Sequence, residues 1–381
     1  MVKINTLQSQ SDITASNSDG IIFPFSIEID PMERLLLVNF EKDPDSIYLG
    51  FEPQVFNDDI NGEGHLIIGW RIDSKIDVYY QKSLNPDPLK YSIAGAGLNE
   101  MIPVEMEKAF YEVNDFGVQS QYKFRDLIGR EVEISITENN HRKRKPFGLL
   151  APMGDAATHP TALPLVLLHD FYFVRKKDTN IKVSINSRNH QPDVLPIRMD
   201  GQKMYFTRYS PKPLIVTINP AHIEELKIFL PKSGQRTFEK DDYIYELEWT
   251  DQKASIKSIS VKNDIHLITM NFVPAFPCLK TIPENSSIEG NFIISGHVSV
   301  GKIKGEYSIK SDKESVRIRV IPSKGWEPNT SKFSTWFLFS FVRVFKKWPG
   351  TYQWDAVIHR SSEASWQIKS GWIRTGKILN D

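Results

Sequence analysis

The chain has 381 residues, a length that suggests two domains, each able to bury its own core. Forty-seven basic residues balance forty-seven acidic ones, so no global field draws the molecule to nucleic acid or acidic lipid, and a polyanion could bind only at a local patch. With 40% hydrophobic and 25% charged residues, the composition excludes the disordered and membrane-embedded classes.

In chain order, residues 1–20 are rich in Ser, Gln, Asn and Asp and lack the apolar core of a secretory signal, so they read as a flexible tail on a cytoplasmic protein. From Leu66 to Ile72 apolar side chains alternate, and after Asp73-Ser74-Lys75 they resume at Ile76, Val78 and Tyr80. This predicts an antiparallel hairpin with one buried face. Gly95-Ala96-Gly97-Leu98-Asn99-Glu100 begins like a dinucleotide-binding turn but lacks the last glycine and a clear preceding strand. Met106, Phe110 and Val113 fall near helical spacing, which makes Met101–Val113 a possible helix. A second hairpin joins Gln121–Phe124 to Arg130–Glu138, with Val132, Ile134 and Ile136 facing a core.

His141-Arg142-Lys143-Arg144-Lys145 is the one dense basic run and reads as a hairpin tip, either simply solvated or in contact with an anion. The loop Ala151–Pro160 offers Asp155 and His159 together at what would be a barrel mouth, where such residues serve either function or turn chemistry. The most apolar stretch, Ala162 to Val174, is broken by His169 and Asp170 and is shorter than the roughly 20 residues a spanning helix needs, so no membrane span is expected. As a strand it sends His169 to one face and Asp170, with Leu168 and Tyr172, to the other. A carboxylate so flanked is desolvated, which raises its pKa and suits a general acid, unless Arg175 or Arg208 pairs with it. The alternative for both residues is a hydrogen-bonded or ion-paired place in the core.

Pro220–Phe229, with Asn219 as cap, predicts a short helix. Period-two alternation returns at Val316, Ile318 and Val320, at Tyr352, Trp354, Ala356 and Ile358, and at Trp366, Ile368 and Trp372. Trp336–Phe345 is apolar enough for a fully buried strand. Six of the eight tryptophans lie beyond residue 325 and either line a cavity or fill a core.

The fold class expected is all-β, as two antiparallel β-barrel domains with few short helices: a tail over 1–20, a first barrel over 21–211, and a Trp-rich second barrel over 212–381. Glu63-Gly64 to Trp70-Arg71 with its following hairpin belongs to a plan that resembles tandem lipocalin-like proteins related to carotenoid hydratases and decalin-forming cyclases. The resemblance is one of plan over the whole chain and not of motif, and no residue role is carried over. It implies an apolar ligand held within or between barrels.

The single cysteine, Cys278, excludes an intramolecular disulfide and a cysteine-based metal cluster. Walker A, His-Glu-x-x-His and Gly-x-Ser-x-Gly motifs are missing from the sequence, so neither cofactor nor metal is expected. The function expected is binding of a hydrophobic, terpenoid- or polyketide-like molecule, with cofactor-free cyclisation, isomerisation or hydration. Asp170 would be the acid, beside His169, and Tyr172, Tyr209, Arg208, Trp336, Trp354, Trp366 and Trp372 would wall the pocket. A non-catalytic carrier with the same cavity and an interaction protein with filled barrels are the alternatives.

Overall fold

The computed structural model describes residues 20–376 apart from 31, 154–158, 221–222, 227, 264–265, 332–335, 337–338, 341–343 and 361–364. Nearly all of the expected tail, and Asp155, lie outside the described residues. The chain is all-β, built from curled sheets. Ten strands form a central sheet. Its hydrogen-bonded order is Ile27–Asp30, Pro213–Ile218, Leu163–Arg175, Met204–Ser210, Arg34–Asn39, Tyr48–Asp58, Gly62–Arg71, Ile76–Tyr80 and Leu98–Pro103, and Phe147–Ala151 also pairs with Leu163–Arg175. Neighbours are antiparallel except Ile76–Tyr80 with Leu98–Pro103, which run parallel. Parallel pairing needs a crossover, and residues 81–97 supply it with the helix Pro88–Tyr91, whose first turn is capped by Asp87.

The central sheet is buried on both faces. Its outer face carries Leu36, Val38, Phe51, Ile67, Tyr79 and Val174, which pack on Tyr122, Phe124, Val132, Ile134 and Ile136 of a five-stranded sheet. That sheet runs Arg188–His190, Thr179–Ile185, Glu131–Glu138, Gly117–Arg125, Lys108–Asn114. Its other face keeps Glu131, Glu133, Ser135 and Thr137 partly exposed, the alternation expected of a sheet with one wet side. The inner face of the central sheet carries Leu35, Phe56, Leu66, Ile68, Val78 and Phe171, part of a core that continues into the C-terminal half. The hairpin of Leu66–Ile72 and Ile76–Tyr80 therefore differs from expectation: Leu66, Ile67 and Ile68 are all buried, because partners cover it from both sides.

The C-terminal half is a ten-stranded meander in which strands from Thr237–Lys240 to Trp366–Arg374 pair in sequence order, with Ile223–Leu226 beyond Trp366–Arg374. Bulges at Glu246/Leu247, Ile256/Ser258 and Lys304/Glu306 bend it. Phe25 lies 5.2 and 4.9 Å, ring centre to ring centre, from Phe272 and Phe276, and 5.7 Å from Trp354. Those partners sit four strands apart in the sheet order, so the meander curls around a side chain from the start of the chain. Phe23 stacks on Tyr245, and the Tyr243 hydroxyl both accepts from the Ile27 amide and donates to the Ile27 carbonyl. The pairing order of each large sheet ends in two edge strands, and the two closed barrels of the expectation are not seen. Pro211 lies between Met204–Ser210 and Pro213–Ile218, both strands of the central sheet.

Two expected helices are strands. Pro220–Phe229 gives Ile223–Leu226 and Ile228–Phe229, since pairing with Trp366–Arg374 and Ile21–Ile22 outweighs a local start signal. Asn219 adopts φ +45° and its Oδ1 accepts from the Ser26 amide. Met101–Val113 divides between Leu98–Pro103 and Lys108–Asn114. Within the expected strand Trp336–Phe345, Trp336 is helical and 51% exposed, and the Ser340 hydroxyl donates to its carbonyl. Among the described residues no helix is long and apolar enough to cross a membrane.

The halves meet where Phe147–Ala151 touches the turn Val298–Val300. A Cβ at Gly148 would lie 1.8 Å from the Ser299 carbonyl oxygen, so only glycine permits this approach. Phe25→Ala should remove about 3–5 kcal/mol of unfolding free energy by leaving a cavity inside the meander, read from urea midpoints. Phe116→Ala, at a side chain 43% exposed, should stay within about 1 kcal/mol of the parent.

Candidate functional site

On the inner face of the central sheet, one polar group of side chains stands among apolar neighbours. Strand Tyr48–Asp58 presents Glu52 and Gln54 on the same face as Phe56, because alternate residues share a face. Glu52 accepts from Gln54 Nε2 at 2.9 Å and from Trp70 Nε1 at 3.1 Å, and the Tyr91 hydroxyl donates to Gln54 Oε1 at 3.4 Å. Arg208, on Met204–Ser210, donates through Nη1 to Asn39 Oδ1 at 2.6 Å and to the Phe206 carbonyl at 3.0 Å.

Burial holds the Glu52 carboxyl above the usual range, against the hydrogen bonds from Gln54 and Trp70 and the charge of Arg208. Burial likewise pulls the Arg208 guanidinium down to about 10, with the charges of Glu52 and Glu41 opposing it. The two charges feel each other without forming a direct ion pair. Glu52, Trp70, Tyr91, Phe206 and Arg208 all keep part of their accessible surface although they face inward. Leu195, Ile197, Met101 and Met153 pack beside the same core and are also half-buried.

Arg208 is thus the one expected pocket residue in this cluster. Its neighbour Tyr209 points to the outer face, where it stacks on Tyr172 at 5.3 Å and accepts from Arg144 Nη1. Asp170 is 35% exposed on its side chain, which is not the enclosed carboxyl the sequence suggested. The expected cation Arg175 pairs instead with Glu138, Nε to Oε1 at 2.6 Å, with both side chains buried. His169 and Asp170 were expected on opposite faces, yet His169 Nε2 lies 3.8 Å from Asp170 Oδ2. A register shift opposite Phe147–Leu149 breaks the alternation there.

Trp354, Trp366 and Trp372 are core residues of the meander, and Trp372 Nε1 donates to the Asn219 carbonyl. His159 is exposed. Pockets of about 540, 470 and 620 Å³ formed by described residues are lined by other side chains. Glu52, Gln54, Trp70 and Tyr91 were missed. Their signal was a polar pair at two-residue spacing inside an apolar strand.

His169 does meet partners from the other half. Its ring centre lies 5.1 Å from those of His266 and His297, and the Ser299 hydroxyl bonds His297 Nδ1 and the His169 carbonyl. Burial lowers the His169 pKa, with Asp170 opposing and His297 and Lys212 reinforcing. Burial, His169, His297 and Lys212 pull His266 down to about 4. His266 also borders the 540 Å³ cleft with Asp30, Arg34, Asp58 and Lys212. Among the described residues no group of His, Cys, Asp and Glu side chains is set to hold a metal ion. Comparison with protein-family models, curated proteins and solved structures finds no match to this chain.

His65, hydrogen-bonded to the Tyr122 hydroxyl, is also pulled to about 4, by burial and then by Arg34. In both imidazoles the folded pKa lies below the unfolded value of 6.5, so acid favours unfolding. Their contribution is complete above pH 6.5 and is lost as pH falls toward 4. A His65→Gln/His266→Gln variant should therefore lose less stability than the parent between about pH 7 and about pH 4.5, compared by urea midpoints at each pH.

Proposed function

We propose that this protein binds an apolar small molecule with one oxygen-bearing end on the inner face of the central sheet. The observation that carries the reading is the separated pair of Glu52 and Arg208, half-buried among apolar side chains and not closed on each other. A buried charge normally finds a direct partner, and strongly perturbed groups of this kind concentrate at functional sites. Both Arg208 side-chain hydrogen bonds leave through Nη1, so the other edge of the guanidinium serves a carbonyl, hydroxyl or carboxylate oxygen of the ligand. Trp70, Tyr91 and Phe206 supply apolar and aromatic walls.

Glu52, biased toward its protonated form, replaces Asp170 as the acid in this reading. It is suited to protonate a double bond or an ether oxygen, which fits isomerisation, cyclisation or hydration without a cofactor. The meander takes no part, because Phe23, Phe25 and its own tryptophans occupy its interior.

Native mass spectrometry of protein from its own host should show a co-purifying hydrophobic compound. With cis-parinaric acid as probe, fluorescence titration of Arg208→Met should show an affinity at least about tenfold weaker than the parent. Glu52→Gln should keep affinity within about threefold while abolishing turnover of the co-purified compound. Undiminished probe binding by Arg208→Met overturns this assignment of the site.

A further inference from the structure

A second site lies at the far end of strand Leu163–Arg175, in the basic region that the sequence marked and the inner face does not use. Five permanent cations, Arg142, Lys176, Lys177, Arg198 and Lys203, surround a pocket of about 620 Å³ together with His141, Asn140 and Gln202. Asp178 is the one carboxylate residue among its lining. All five cations are exposed.

Elsewhere in the same half, Arg71, Lys90, Lys123, Arg130, Lys182 and Arg188 each sit within 4.0 Å of a carboxylate. Among the described residues none of the five pocket cations does. On a chain of zero net charge, unpaired like charges gathered around one concavity create a strong local positive potential.

The walls are braced rather than loose. Asn140, 3% exposed, donates to the Lys177 carbonyl at 3.0 Å and to Gln202 Oε1 at 3.5 Å, and accepts from the Arg142 amide at 3.0 Å. The Lys176 amide donates to the Lys203 carbonyl at 3.0 Å, and Met199 and Gln202 exchange both backbone bonds. Beneath them the buried Arg175 guanidinium donates to the Arg142 carbonyl and to Glu138. Three chain segments are thereby fixed with their cations converging.

We propose that this pocket binds a di- or polyphosphate group, borne by a soluble phosphate ester or by the headgroup of an anionic lipid. Several convergent Lys and Arg side chains match a ligand with several charges better than they match one carboxylate. Among the described residues the pocket lining contains no Phe, Tyr or Trp; the rings beside it are Tyr205, under Lys176 at 5.8 Å, and Phe116, set edge-on to His141 at 4.5 Å, which do not make the row of open ring faces on which single-stranded nucleic acid stacks.

The test uses the whole protein in two arms: inorganic pyrophosphate by calorimetry, and co-sedimentation with phosphatidylcholine vesicles with and without phosphatidylinositol bisphosphate. A soluble ligand is indicated if pyrophosphate binds and the bisphosphate adds nothing to vesicle binding. A headgroup is indicated if the bisphosphate vesicles bind and pyrophosphate displaces the protein from them. In whichever arm binds, Lys177→Glu/Lys203→Glu should weaken binding at least about tenfold, and raising salt from about 50 to about 200 mM should weaken it several-fold. Lys177→Gln/Lys203→Gln, which removes charge without reversing it, should give an intermediate loss and serves if the reversal variant does not fold. Failure of both arms at low salt, or binding that neither pair of substitutions changes, overturns the proposal.

Discussion

A sheet covered on both faces along most of its strands governs this structure. The five-stranded sheet covers one side of the central sheet and the shared core covers the other, so a polar side chain on either side must find its partners inside the protein. Asp77 does so by accepting from the Tyr48 hydroxyl, Arg71 and Asn99 at 2.7–3.0 Å. Glu138 does so by accepting from Arg175 and the Val118 amide. Both of these clusters are closed sets. Glu52 and Arg208 obey the same rule less completely, each tied to neutral partners while their charges stay apart. That contrast is the ground of the proposed binding site.

Double burial also explains how the sequence could mislead. Alternation reports a difference between two environments, and where both are apolar the difference vanishes. Leu35 and Leu36, and likewise Leu66, Ile67 and Ile68, divide their side chains between two cores, so a one-sided hairpin was a natural but incomplete reading. Where one side is wet, as in Glu131–Glu138, the pattern described the strand well. The all-β class was legible for the same reason, since alternating segments recur along the whole chain. Helix signals at Asn219-Pro220 and near Met106 were local, and long-range pairing with residues more than a hundred positions away overrode the first of them.

Of the candidate cluster, the sequence pointed to Arg208 alone, as a cation for Asp170 and a pocket wall, and strand parity places its neighbour Tyr209 on the opposite side. Asp170 drew attention through its apolar neighbours in sequence, but a register shift leaves it partly in water. Glu52 carried no motif, and its partners Trp70, Tyr91 and Arg208 come from three other segments, so the constellation exists only after the sheet has assembled. The tryptophans of the last fifth were visible as a group. Whether such a group walls a cavity or fills one depends on what enters it, and here the entrant is Phe25, over three hundred residues away from Trp354 in the chain.

That entrant sets an order of events during synthesis. Residues 23–27 are made more than two hundred residues ahead of their partners Tyr243, Tyr245, Phe272 and Trp354. Until that sheet follows, Phe23 and Phe25 lack the rings that bury them, so the packing of this segment waits on the C-terminal half.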